Sequence, residues 1–131
     1  MAQEDKFKRE IDRIGMLLAK LLGLLLHRPD DTRDYVSDVM QQAHNELAID
    51  VQGLLEMSDP DALNYLITDH KFSNDHLRQF ANLLYEMALL DGGAHNSNLR
   101  KKALAIYEYL QANANGTVYL DVLYRVKELR G

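Results

Sequence analysis

The sequence predicts an all-α chain of about six helices, and three observations carry that prediction. Two prolines and seven glycines in 131 residues leave few breaks in the chain. Apolar residues recur at alternating spacings of three and four through nearly every segment, which is the period of one helix face. The gaps between these runs are short and marked by capping residues. Consecutive helices should therefore pack antiparallel within one domain, residues 1–131.

Helix one spans about Glu4 to His27 and stops before Pro29, because the residue preceding a proline is pushed out of helical geometry. Phe7, Ile11, Ile14, Leu18, Leu21 and Leu25 form a coiled-coil-like seam, and Gly15, Ala19 and Gly23 form a second row four residues apart. Small residues in such a row let another helix approach closely, so a tight helix crossing is expected there. Met16 to Leu26 reads MLLAKLLGLLL, with one charge in eleven positions. That much apolar area has to be covered, which marks residues 1–28 as an association segment. Whether the seam packs within one chain or between two is open at this stage.

Residues 29–131 read as a helical bundle. Asp30, Asp31 or Thr32 can cap helix two, and Val36, Val39, Met40, Ala43, Leu47, Val51 and Leu54 hold its apolar face, with Gly53 marking a late bend. Ser58-Asp59-Pro60-Asp61 starts a short helix three that buries Leu63, Leu66 and Ile67. Phe72-Ser73-Asn74-Asp75 caps helix four, whose apolar face is Leu77, Phe80, Ala81, Leu84 and Ala88. Gly92-Gly93 supplies a left-handed stop. Ser97 caps helix five, with Leu99, Ala103, Ile106, Tyr107 and Leu110 inward. After a turn at Asn113 to Gly116, Thr117 caps helix six, with Leu120, Leu123, Tyr124 and Leu129 inward.

Composition limits the function classes. Apolar residues make up 47% and charged residues 27%, which is ordinary globular usage. The absence of cysteine excludes disulfides and thiolate metal sites and is compatible with a reducing cytoplasm. The eleven-residue apolar run spans roughly 16 Å, against about 30 Å of hydrocarbon, so it cannot cross a bilayer. Its flanks do not resemble a secretory signal. Residues 1–28 carry six basic and four acidic groups, residues 29–61 one against nine, and residues 97–131 six against three. The acidic middle disfavours nucleic acid as a partner and can instead pair with the basic C-terminal part.

No catalytic, cofactor or metal motif emerges, and no small-molecule substrate is indicated. Asp69-His70 and Asp75-His76 would have to converge to bind a metal, and they read instead as turn and cap residues. Asp30, Asp31, Asp34 and Asp38 lack the spacing of a calcium loop. The serines sit in no nucleophile-elbow context. Arg100-Lys101-Lys102 opposes the dipole of helix five, so either the acidic helix two or an anionic partner should compensate it. Tyr107 and Tyr109 point to different sides of that helix. Arg100, Lys101, Tyr109 and Tyr119 are therefore candidates for a partner surface.

From Lys102 to Leu110 the text KALAIYEYL resembles the second helix of a tetratricopeptide repeat, with small Ala103 followed four residues later by aromatic Tyr107. Helix four would then be the first helix of a hairpin spanning about 74–112. The layout is also similar to small bacterial all-helical proteins without an assigned activity. The repeat resemblance implies stacked helix hairpins that present a surface to peptides. The expected function is a non-enzymatic protein-interaction or scaffold module, cytoplasmic and homodimeric through helix one. The runner-up is a peripheral membrane protein resting on that helix, which Glu4, Asp5, Glu10 and Asp12 make less favourable, and third comes an enzyme whose site is not recognisable from sequence.

Overall fold

The structure, a computed structural model, describes residues 2–27, 34–93, 95–113 and 119–131, the first ten of them as backbone. The described residues form seven α-helices and no strand: α1 (Ala2–Leu26), α2 (Tyr35–Leu47), α3 (Val51–Glu56), α4 (Asp59–Asn64), α5 (Asn74–Leu90), α6 (Asn96–Ala112) and α7 (Leu120–Arg130). The expected caps Asp30, Asp31 and Thr32, the turn at Ala114 to Gly116, and Thr117 lie outside the described residues, as do the side chains of Phe7 and Ile11.

The predicted helix two is in fact two helices. Ala48 adopts a left-handed conformation (φ 57°); its N–H reaches the His44 carbonyl at 3.1 Å and the Ile49 N–H reaches the Ala43 carbonyl at 3.3 Å, which ends α2. Asp50 then caps α3 by accepting from the Gly53 N–H at 3.0 Å. Gly53 is therefore no bend. It clears space for the cap, since a Cβ there would collide with the Asp50 carboxylate. Asp34 caps α2 in the same way, accepting from the Ser37 N–H.

Ser58 starts α4 by accepting from the Asp61 N–H at 3.2 Å, as its sequence context predicts. The helix then widens into a π-helical turn over Tyr65–Asp69, and a left-handed Lys71 (φ 57°) ends the segment. At the start of α5, the Ser73 hydroxyl accepts from the His76 N–H while His76 Nδ1 accepts from the Ser73 N–H, both at 3.2 Å. This reciprocal pair satisfies two of the free donors that every helix start leaves.

Two expected signals are corrected. Gly92 and Gly93 do not take a left-handed conformation; α5 ends at an extended Asp91, whose carboxylate accepts from the Gly93 N–H at 2.8 Å. Ser97 is an exposed residue in the first turn of α6 and not its cap. The turn is tied instead by Asn96, whose side-chain amide donates to the carbonyls of Ala88 and Asp91 at 2.6 and 2.7 Å.

α2 folds back antiparallel on α1, so that Arg13 and Lys20 both reach Glu46 near its end. α5 and α6 form the largest helix contact as an antiparallel hairpin, and α1 packs on α5. α3 and α4 lie across α6, and α7 packs on α6 from another side. All share one core cluster that runs from Leu18 in α1 to Val126 in α7.

The buried side of α1 decides the meaning of the leucine seam. Leu18, Leu21 and Leu25 are at most 1% exposed within a single chain, so this part of the seam belongs to the molecule's own core. The glycine row is corrected as well. A Cβ at Gly15 would find only ordinary contact with Gln79 and His76 of α5, and one at Gly23 would meet nothing within 4 Å. Neither position marks a tight crossing inside the chain.

Burying a leucine side chain contributes about 1.5–3 kcal/mol, and a cavity adds to the loss when it is cut back. We expect Leu21→Ala to lower unfolding stability by about 2–5 kcal/mol in urea titration. Leu18→Asp and Leu21→Asp should unfold the chain, as seen in circular dichroism, instead of releasing a folded monomer.

Candidate interaction surfaces

α7 reverses the expected orientation of three of its apolar residues, while Leu129 packs against the core as expected. Val122 and Val126 face the core, whereas Leu120, Leu123 and Tyr124 are 77%, 47% and 65% exposed. The inward choice is explained by what holds this helix. Arg78, Asn82 and Tyr85 of α5 meet Asp121, Arg125 and Glu128 of α7, each pair 43 residues apart. A constant separation over two turns means that α7 runs parallel to α5.

The contacts in this ladder are specific. Arg78 Nε and Arg125 Nη1 both donate to Asp121 Oδ2 at 3.2 Å. Asn82 Oδ1 accepts from Arg125 at 2.8 Å and from the Tyr107 hydroxyl of α6 at 2.5 Å. The Tyr85 hydroxyl donates to Glu128. The guanidinium of Arg78 lies over the Tyr119 ring, and that of Arg125 over the Tyr85 ring, at 4.9 and 5.3 Å from the centroids.

The electrostatics follow from these partners. The hydrogen bond to Glu128, and then burial, push the Tyr85 hydroxyl up to about 12. Burial pushes Tyr107 up further still. The same bonds, from Tyr85 and Tyr124, hold the Glu128 carboxyl below its ordinary range. Each acid and base in the ladder is used by another member, so the ladder ties α7 to α5.

The ladder was missed in the sequence, although a signal existed. Positions 78, 82 and 85, and positions 121, 125 and 128, share the spacing i, i+4, i+7, and all six carry polar side chains.

The predicted partner residues are divided between two ends of α6. Arg100 and Lys101 are exposed at its start, where with Asn96, Ser97, Leu104 and Leu129 they line an open recess of about 290 Å³. Tyr109 lies more than two turns further on and Tyr119 at the start of α7; both are half-buried and packed against the core. The four do not form one surface. Lys102 is explained differently from its neighbours. It is nearly buried, and its Nζ lies 2.9 Å from Asp59 Oδ1 at the head of α4, so the compensating acid comes from α4 and not from α2.

The two acid–imidazole pairs do not converge. His70 and His76 sit on either side of Phe72, with ring centroids 6.4 and 5.6 Å from it, and burial pushes His70 below its usual value. Among the described residues no three His, Asp or Glu side chains are grouped to hold a metal ion. A second recess, about 390 Å³, lies between α2 and α3 beside Ser37, Gln41, His44 and Asp50.

On α1, Ile14 packs against the core and Gly15 is half-buried, its carbonyl accepting from Gln79 at 3.3 Å. Ala19 points outward between Met16, 72% exposed, and Leu26, 53% exposed, while Gly23 has open space beyond it. Arg13 and Lys20 flank this stripe, and Glu46 engages both. No helix among the described residues is long and apolar enough to cross a membrane.

Two outcomes test the ladder. Asn82→Ala should cost about 1–3 kcal/mol, because it leaves the Tyr107 hydroxyl and one Arg125 donor without their acceptor; Tyr107→Phe should cost about 1 kcal/mol, both read by chemical denaturation. Tyr85 has a raised value in the folded state, so the stability it lends is complete below pH 10 and is lost as pH rises through about 12. Melting temperatures across that window should fall less steeply in Tyr85→Phe. Comparison with known proteins finds no matching family model, no matching curated protein and no matching solved structure.

Proposed function

We propose that this chain is a non-enzymatic helical interaction module that pairs with a second copy through the outward stripe of α1. One observation carries the reading. Met16, Ala19, Gly23 and Leu26 lie on one face at spacings of three, four and three, and the chain's own core leaves that face uncovered. In size the stripe reads large, small, small, large, and so it is the same in both directions.

A two-fold axis across the stripe would set two α1 helices antiparallel. Met16 would then lie over Leu26 of the second copy, and Ala19 over its Gly23, where the absent side chain allows close approach. Gly23 within a helix costs on the order of 1 kcal/mol relative to alanine, and the molecule's own packing gives no return for it. A subunit contact supplies that return. The interface would be small, which fits a reversible dimer in the micromolar range.

The same face is apolar enough to suit a lipid surface. That alternative is weakened because Glu46 already pairs with Lys20. Sedimentation velocity over micromolar concentrations should show a monomer–dimer equilibrium, and Ala19→Glu should shift it to monomer with an unchanged melting temperature. A wild-type chain that stays monomeric across this range would defeat the proposal. Flotation with anionic vesicles at low salt would move the assignment to the membrane surface.

A further inference from the structure

α7 is a helix with two apolar sides and only one of them covered. Val122 and Val126 are buried against the core, while Leu120, Leu123 and Tyr124 share the opposite side with Lys127. These four occupy positions i, i+3, i+4 and i+7, the pattern by which one helix receives another. The ladder to α5 fixes α7 in this rotation, so the outward side chains cannot turn inward without breaking it.

The size of the face indicates its occupant. A helix of eleven residues is roughly 16 Å long, and three large side chains along it expose on the order of 300 Å². A standard interface between folded domains buries about 800 Å² on each side. The face matches the footprint of one short helix.

Charge indicates the chemistry of that helix. The acids on this side of the molecule face the chain's own cations: Asp121 pairs with Arg78 and Arg125, Glu108 with Arg130, and Glu128, which accepts from Tyr85, feels the charges of Arg125 and Arg100. Lys127, Arg100 and Lys101 have no ion pair among the described residues, and Leu129 joins the last two to the C-terminal end of α7 in one recess. Lys127, Lys101 and Arg100 outnumber Glu128 there, so the excess charge at that end is positive. Acidic residues in the first turns of an incoming helix would meet it, and they also stabilise the N-terminus of that helix.

We propose that the outward face of α7 docks a short amphipathic helix of a partner protein. The helix runs antiparallel to α7, with leucine-type anchors over Leu120, Leu123 and Tyr124 and acidic first turns toward Lys127, Arg100 and Lys101. The proposal rests on the chain being an interaction module but not on pairing through α1.

The test uses the full chain and two labelled synthetic helical peptides. Both carry leucine at i, i+3, i+4 and i+7. One has glutamate in its first two turns, and the other has lysine at the same positions. Fluorescence anisotropy should show saturable binding of the glutamate peptide and binding of the lysine peptide weaker by about tenfold or more. Leu123→Asp should lower affinity for the glutamate peptide by about tenfold, and Lys127→Glu should narrow or reverse the preference between peptides. Leu123→Ser, with circular dichroism and melting measured on both variants, separates lost binding from lost folding. Equal binding of the two peptides, binding indifferent to Leu123, or no saturable binding overturns the proposal. So does a change of sedimentation in Leu123→Asp, which would assign the face to a second copy. Failure here with intact pairing at α1 sinks this inference alone.

Discussion

The rest of the structure depends on α5 having to satisfy three different neighbours at once. One side, with His76 and Gln79, meets α1, and an apolar side that includes Leu77, Ala81 and Leu84 is buried in the core it shares with α6. The remaining side is polar and carries Arg78, Asn82 and Tyr85 to α7. A helix with so few free positions must start at a fixed residue, because a shift of one position rotates every side chain by about 100°. The Ser73–His76 capping box supplies that fixed start. His76 also faces Gly15 and stacks edge-on against Phe72, so a single residue ties the helix start to α1 and to the aromatic cluster before it.

The polar ladder explains why α7 sits where it does. Apolar packing alone would have favoured the larger side chains, Leu120, Leu123 and Tyr124, as the buried set. The ladder overrides that preference by fixing rotation, since hydrogen bonds demand particular partners where apolar contact demands only area. Burying Val122 and Val126 in their place forgoes some apolar area. In exchange, the Tyr107 hydroxyl and the Arg125 guanidinium find acceptors that a buried polar group needs.

Local signals were the legible part of this chain. Ser58 and Ser73 acted as caps because a hydroxyl before a helix start has few competing uses, and helix existence followed from the period of the leucines and alanines. Side-chain direction was legible where one face was plainly more apolar, as in α5 and α6. It failed in α7, where both faces are apolar and the deciding contacts lie 43 residues away. The break at Ala48 was hidden for a related reason: alanine is a strong helix former, and its left-handed turn there is set by the following Asp50 cap. On α1, periodicity identified both rows but could not say which one faces inward. The leucines took the inside because they carry the area, and the small residues were left outside.

Charge follows the same division between what the chain uses and what it leaves over. Two acids of the acidic part of the chain act as internal counterions: Glu46 pairs with Lys20, and Asp59 holds Lys102. Lys102 is the costly case, because a lysine that is nearly buried keeps its charge only beside a partner. Those pairings absorb the cations that touch the core. They do not extend to Arg100, Lys101 or Lys127, which have no ion pair among the described residues. The two uncovered apolar strips therefore differ in character. The one on α1 is flanked by the Lys20–Glu46 pair, whereas the one on α7 ends in an excess of positive charge. Under the proposed pairing through α1 and the proposed docking on α7, one chain would join a copy of itself to a different protein, which is the reversible bridging that a small scaffold requires.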